Sequence, residues 1–253
     1  MNFQRVKAIA MQDLRVLRTE SLPVMVLVVM PLVLMPFLRP AFEVALRVEG
    51  LAGATGAEQV VPGMTVTFGF FLVANLGFAF FREHSWHTWE RLRSSPANSL
   101  EILLGKMVGP FVQAGVQFVL LFGLGCLLMG LRVEGSWLSL VAVGIAFSLN
   151  LICTGLAVIS ICRTFMQVNA LVNVAALLFA GLSGALVPFG LLPVWARAIS
   201  PAIPSYWAME GYKRAILGGS VLGPILVLLS YAAFATALAL WRFRFADTKV
   251  GLV

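Results

Sequence analysis

Two carboxylates and two histidines fall within one short stretch, at Glu83, His84, His87 and Glu90, and these are residue types that bind zinc or pass protons. A zinc-protease helix sets its histidines at i and i+4 with a glutamate between them, so that both imidazoles face one ion. Here the histidines stand at i and i+3 without that glutamate, and the spacing argues against a metal. Glu83 and Glu90 are paired carboxylates, but no surrounding sequence buries them in a pocket that would tune an acid and a base. The one Gly-Lys pair, Gly105-Lys106, lacks a glycine five residues before its own and is followed by Met107, so it does not form a phosphate-cradling loop. There is no GxSxG elbow. Cys126, Cys153 and Cys162 sit in apolar runs without paired spacing and read as small buried residues.

The other polar groups with chemical interest are amides: Asn75, Gln113, Gln117, Asn150, Gln167, Asn169 and Asn173. Gln113/Gln117 and Asn169/Asn173 are i, i+4 pairs and share a helix face. They lie within long apolar stretches, where an amide must find a partner. Two roles fit, hydrogen bonds between helices or contact with a substrate.

The elements that hold these groups follow from composition. Of 253 residues, 60% are hydrophobic and 11% charged, and the mean hydropathy is +0.95. Soluble domains are about a quarter charged, and disordered chains are poor in apolar residues. A multi-span membrane protein remains. Six charge-free stretches approach or exceed the roughly 20 residues that cross a bilayer: 22–38, 60–81, 107–131, 137–162, 165–187 and 221–241. The first is short, and Pro23, Pro31 and Pro36 are expected to bend it. The absence of an ionisable residue within any stretch argues against proton-coupled pumping and voltage sensing.

Six spans put both termini on one side. Segments on that side carry 12 Lys and Arg, against 6 on the other, so the termini are expected in the cytoplasm. The net charge of +7 is therefore mostly topology, with attraction to anionic lipid, and implies no nucleic acid. All six tryptophans, Trp86, Trp89, Trp137, Trp195, Trp207 and Trp241, fall at or just beyond span ends, as an interfacial belt requires.

Residues 1–21 are too charged and too long for an ordinary signal peptide. Phe3, Val6, Ala10, Leu14 and Leu17 share one helical face, which predicts an amphipathic helix on the inner surface. The inner loop 82–106 reads REHSWHTWERLRSSPANSLEILLGK. Glu83, His87, Glu90 and Ser94 form one helical stripe and Trp86 and Trp89 another, which predicts a short amphipathic helix before Pro96 and a restart near Ser99. Its charges and aromatics offer a docking surface for a cytoplasmic partner; a plain solvated loop is the alternative. The outer segment 188–219 is too apolar for a simple loop and too broken by Pro188, Pro193, Pro201 and Pro204 to span, so re-entrant or surface-lying helices are expected. Within it, Glu210 near Lys213 and Arg214 reads first as an ordinary helix-surface pairing. Gly105/Gly109 and Gly219/Gly223 carry spacings that permit close helix approach.

Inner loop and outer segment together resemble the permease subunit of ATP-binding-cassette exporters of the second type, the ABC-2 family. The loop carries Arg82-Glu83, Thr88, Glu90, Leu92, Ser95-Pro96, Glu101 and Gly105-Lys106 in the family's order. One departure is His87, where glycine is common. Pro188, Leu192-Pro193, Trp195, Ser200-Pro201, Tyr206, Glu210 and Leu217-Gly218-Gly219 resemble the family's pattern before the last span.

The resemblance implies one all-α transmembrane domain over 1–253: six transmembrane helices, an amphipathic interfacial helix at 1–21, a cytoplasmic coupling helix in 82–106 and outer re-entrant helices in 188–219. It implies a cytoplasmic-membrane location and two partner ATPase subunits that hold ATP and Mg, with no cofactor bound by this chain. It also implies a second permease subunit, identical or related. Arg82, Glu83, His87, Thr88, Glu90, Leu92, Ser95 and Pro96 would couple to the ATPase. Phe68, Asn75, Asn169 and Asn173 would line the substrate path, and Pro193, Trp195, Tyr206 and Glu210 the outer gate. The expected activity is export of an amphipathic drug, antibiotic or lipid-linked molecule. Polysaccharide or glycoconjugate export is the family alternative, and a passive channel or an intramembrane enzyme the alternative from outside it.

Overall fold

The computed structural model describes residues 3–19, 21–50, 53–85 and 99–246. Helices α1 (Phe3–Thr19), α2 (Ser21–Val48), α3 (Ala57–Gly69), α4 (Phe71–Ser85), α5 (Ser99–Met129), α6 (Trp137–Ile161), α7 (Phe165–Leu182), α8 (Val194–Ile199), α9 (Pro204–Leu217) and α10 (Leu222–Ala246) account for most of them, with no strand among the described residues. Six helical stretches are long and apolar enough to cross a bilayer: Met25–Val48, Ala57–Phe78, Leu104–Met129, Trp137–Ile161, Phe165–Leu182 and Leu222–Arg242. The chain is a multi-pass, all-α membrane protein.

Helix α2 differs from its sequence reading in length. It runs on past Leu38 to Val48 and stays one helix through Pro31, Pro36 and Pro40. Each proline removes one backbone bond, yet in hydrocarbon any other backbone course would lose more. The extra turns carry Arg47 paired with Glu43 and Arg39, whose Nε donates to the Thr55 carbonyl at 3.0 Å.

The second span is not one helix but two. α3 and α4 meet at Phe70, after a stretch in which Thr65 and Thr67 donate to the carbonyls four residues back, at 2.9 and 2.8 Å. Such back-bonding bends helices. This broken span and α6 form the centre: 83% and 72% of their most apolar windows are buried, against 22–33% for the other four. Phe70 lies between Phe147 and Phe179, with ring centroids 6.3 and 5.6 Å away. α10 lies along α6, where Asn150 Nδ2 donates to the Leu228 carbonyl at 3.3 Å. Gln117 Nε2 likewise donates to the Leu27 carbonyl of α2 at 3.3 Å. These two amides join helices. Gln167, in the first turn of the fifth span, also helps cap α7: Thr164 Oγ1 accepts from its backbone N–H at 3.3 Å and its Oε1 accepts from the Arg163 N–H at 2.8 Å, close to a capping-box arrangement.

Candidate coupling face, transport path and outer gate

On the side of the amino terminus, α1 runs beside α5 in the same direction. Arg5 faces Glu101 at 3.7 Å and Asp13 faces Lys106 at 3.5 Å. Between these pairs a Cβ on Gly105 would come within 2.8 Å of Ile9, and beyond them one on Gly109 would come within 3.2 Å of Leu17, so the small residues let α1 seat closely. Glu101 and Lys106 are almost fully buried by this contact, at 3% and 2% exposure. Helix α5 has 31 residues and is about 46 Å long, well beyond a roughly 30 Å hydrocarbon layer. Its protruding turns therefore form a platform for α1, and part of the amphipathic face lies on protein.

The coupling residues flank this seam in sequence. Arg82 and Glu83 fall on the last turns of α4; His87, Thr88, Glu90, Leu92, Ser95 and Pro96 lie outside the described residues. Past them the chain resumes as α5 at Ser99.

The four path residues fall on three mutually packed helices. Phe68 is on α3, its ring 5.6 Å from that of Phe71. Asn75 is on α4. Asn169 and Asn173 are on α7, and Asn173 Nδ2 donates to Asn169 Oδ1 at 3.1 Å. All four are half-buried. The asparagine pair satisfies one donor and one acceptor internally and leaves the rest of both amides for another partner.

The outer segment folds into a 3₁₀ turn (Phe189–Leu191), α8, a second 3₁₀ turn (Ser200–Ala202) and α9. It is bound to the end of α7 through carbonyls of the last turn: Ser200 Oγ donates to the Leu182 carbonyl at 2.5 Å, and Ser205 Oγ donates at 3.0 Å to the Phe179 carbonyl, which also accepts the Ser183 N–H. At its far end, the N–H groups of Glu134 and Gly135 donate to the Ile216 carbonyl at 2.9 and 3.0 Å. A Cβ on Gly135 would overlap the Ala215 carbonyl, so only glycine permits this approach. Of the gate residues, Pro193 opens α8 and, like Trp195, is exposed. The Tyr206 ring lies 5.2 Å from Phe189, tilted, and 5.4 Å from Trp207, edge-on, and burial together with the Glu210 carboxylate raises its phenol above the usual range. Glu210 accepts from Arg214 at 2.7 Å, the ordinary helix-surface pair. Lys213 departs from that reading: burial lowers its ammonium below the usual lysine range, with Glu49 and Glu210 opposing.

A model of the family described as "ABC-2 type transporter" matches residues 4–217. The chain belongs to the ABC-2 type transporter family. Among curated proteins it is similar to "Probable multidrug ABC transporter permease YbhR" of Escherichia coli (strain K12), 28% identical over 144 residues, which is 56% of this chain and 39% of the relative. The protein of that name from Escherichia coli O157:H7 matches equally. The match thus spans well under half of the relatives' own length.

Two features of this ABC-2 chain escaped the sequence reading. The Lys106–Asp13 pair joins residues far apart in the chain, and its signal was indirect: one acidic residue inside a basic amphipathic leader, and a lysine beside the Gly105/Gly109 spacing. At the other spacing no helices meet. The Gly219 N–H donates to the Arg214 carbonyl at 2.7 Å behind the left-handed Gly218, a helix stop, and Gly223 has nothing within 4 Å of an added Cβ.

Proposed function

We propose that this chain is the membrane subunit of an ATP-driven exporter of amphipathic molecules, paired with a second permease subunit and two ATPase subunits that bind ATP and Mg. The observation that carries the proposal is the seam between α1 and α5. It packs an amphipathic helix on the first turns of α5, and the expected coupling residues join α5 to α4 in sequence, so a push delivered to them reaches one helix of the buried centre and one platform helix together. The family match, and the printed name of the curated relatives, support the same reading.

In this scheme Arg82, Glu83, His87, Thr88, Glu90, Leu92, Ser95 and Pro96 meet the ATPase. Nucleotide binding there favours one arrangement of the paired permeases over the other, because a ligand shifts an equilibrium only by binding its states differently. Substrate contacts Phe68, Asn75, Asn169 and Asn173, whose aromatic ring and amides suit a molecule with an apolar body and polar groups. Pro193, Trp195, Tyr206 and Glu210 border the exit. Everted membrane vesicles containing the chain and its ATPase partner test the reading. ATP-dependent accumulation of an amphipathic fluorescent dye is expected, reduced severalfold by Asn169→Leu; accumulation that proceeds equally without ATP contradicts it.

A further inference from the structure

Where α1, α2 and α5 diverge they leave a crevice of about 420 Å³, within the roughly 300–1,000 Å³ range of ligand sites. Its walls are apolar, with Leu14 and Leu17 of α1, Val28 of α2 and Val116 and Leu120 of α5 among them, and two polar groups interrupt them, Arg18 and Gln113. Arg18 is exposed at the end of α1 and makes no ion pair among the described residues. Gln113 is 5% exposed, and its Nε2 is buried without a hydrogen-bond partner among the described residues. A buried amide donor left unpaired is costly. Water is a poor filler here, since an ordered water needs two to four polar partners.

Register places the two polar groups near each other. Arg5 meets Glu101, Asp13 meets Lys106, and Leu17 meets Gly109, so Arg18, the residue after Leu17, lies about one turn short of Gln113 along the seam, and both line the crevice. Met25, near the start of the charge-free stretch of α2 at Leu22, lines the same crevice, as expected where hydrocarbon gives way to headgroups. An occupant must therefore bring an apolar chain, a hydrogen-bond acceptor at the top of that chain, and negative charge just beyond it.

We propose that this crevice binds one anionic glycerophospholipid from the leaflet on the side of the chain's termini. One acyl chain fills the crevice, an ester carbonyl accepts from Gln113 Nε2, and the headgroup phosphate region pairs with Arg18. The site is independent of the export reading, because it uses none of the coupling, path or gate residues.

Native mass spectrometry of the full chain, with whatever subunits accompany it, titrated with phosphatidylglycerol or phosphatidylcholine in detergent, tests this. Phosphatidylglycerol is expected to bind about fivefold more tightly, the factor for about 1 kcal/mol from one arginine near anionic lipid. Arg18→Gln, at an exposed position, should abolish the preference. Gln113→Leu should weaken both lipids alike and keep the preference, and Val116→Trp, which fills the crevice, should remove binding of both. Equal binding of the two lipids to the unmodified chain, a preference that survives Arg18→Gln, or unchanged binding to Val116→Trp overturns the proposal. Loss of dye transport with lipid binding intact would count against the exporter reading and leave this site standing.

Discussion

The Lys106 ammonium is buried against α1 with Asp13 beside it, and removing the Asp13 carboxylate takes away attraction that offsets the cost of burying that charge. Asp13→Ala is expected to destabilise the protein by about 3 kcal/mol, read as a lowered unfolding midpoint in detergent. Asp13→Ala with Lys106→Met together should recover part of that loss, since a matched apolar pair leaves no buried ammonium. Lys213 yields a pH dependence. Burial lowers its pKa in the folded state from the ordinary 10.5, so between the folded value and 10.5 the unfolded chain binds more protons. Stability should therefore rise as pH rises through that window, and Lys213→Met should flatten the rise; a fall over the same range would contradict the burial. Both lysines were named in the sequence, in Gly105-Lys106 and beside Glu210, but their burial was not legible there, because each owes its environment to residues brought near only by folding. Asn169/Asn173 and Gln113/Gln117 were legible as shared faces from their spacing, but not their partners: one pair bonds internally, while in the other Gln117 reaches α2 and Gln113 Nε2 has no hydrogen-bond partner among the described residues.

Among the elements, the seam of α1 on α5 depends on two glycines in different degree. A Cβ at Gly105 meets Ile9 Cβ at 2.8 Å and the Val6 carbonyl at 3.2 Å, whereas at Gly109 it meets the movable Leu17 Cδ1 at 3.2 Å. Gly105→Val should thus cost about 1–3 kcal/mol by overpacking and loosen α1, while Gly109→Ala should be tolerated; thermal unfolding of the two variants side by side checks the order. Charge-free runs made the spanning elements readable, because hydrocarbon excludes ionised side chains. The run could not show where α2 stops, since a helix continues into the headgroups once Arg39, Glu43 and Arg47 can reach water. Nor could it show the break at Phe70, which depends on what α3 and α4 meet in the bundle. The proline-rich outer segment was readable as broken helices, but its attachment through Ser200 and Ser205 to α7 required the fold.

For the molecule as a whole, the buried centre of α3, α4 and α6 is surrounded by helices with broad apolar exposure, such as Leu171, Val174, Leu177 and Leu178 on α7 and Leu222, Leu226 and Phe234 on α10. Lipid, and in the proposed assembly a second permease, covers such faces. The central claim is that this ABC-2 chain works with a separate ATPase held at the loop between α4 and α5. Affinity purification of the full chain from native membranes in mild detergent, with mass spectrometry of its companions and an ATPase assay on the product, tests it most directly. The expected result is a stoichiometric ATPase subunit with nucleotide hydrolysis, both lost on Glu90→Lys while the chain itself remains folded. A chain that purifies alone at every detergent strength, with no nucleotide-hydrolysing companion, would contradict it.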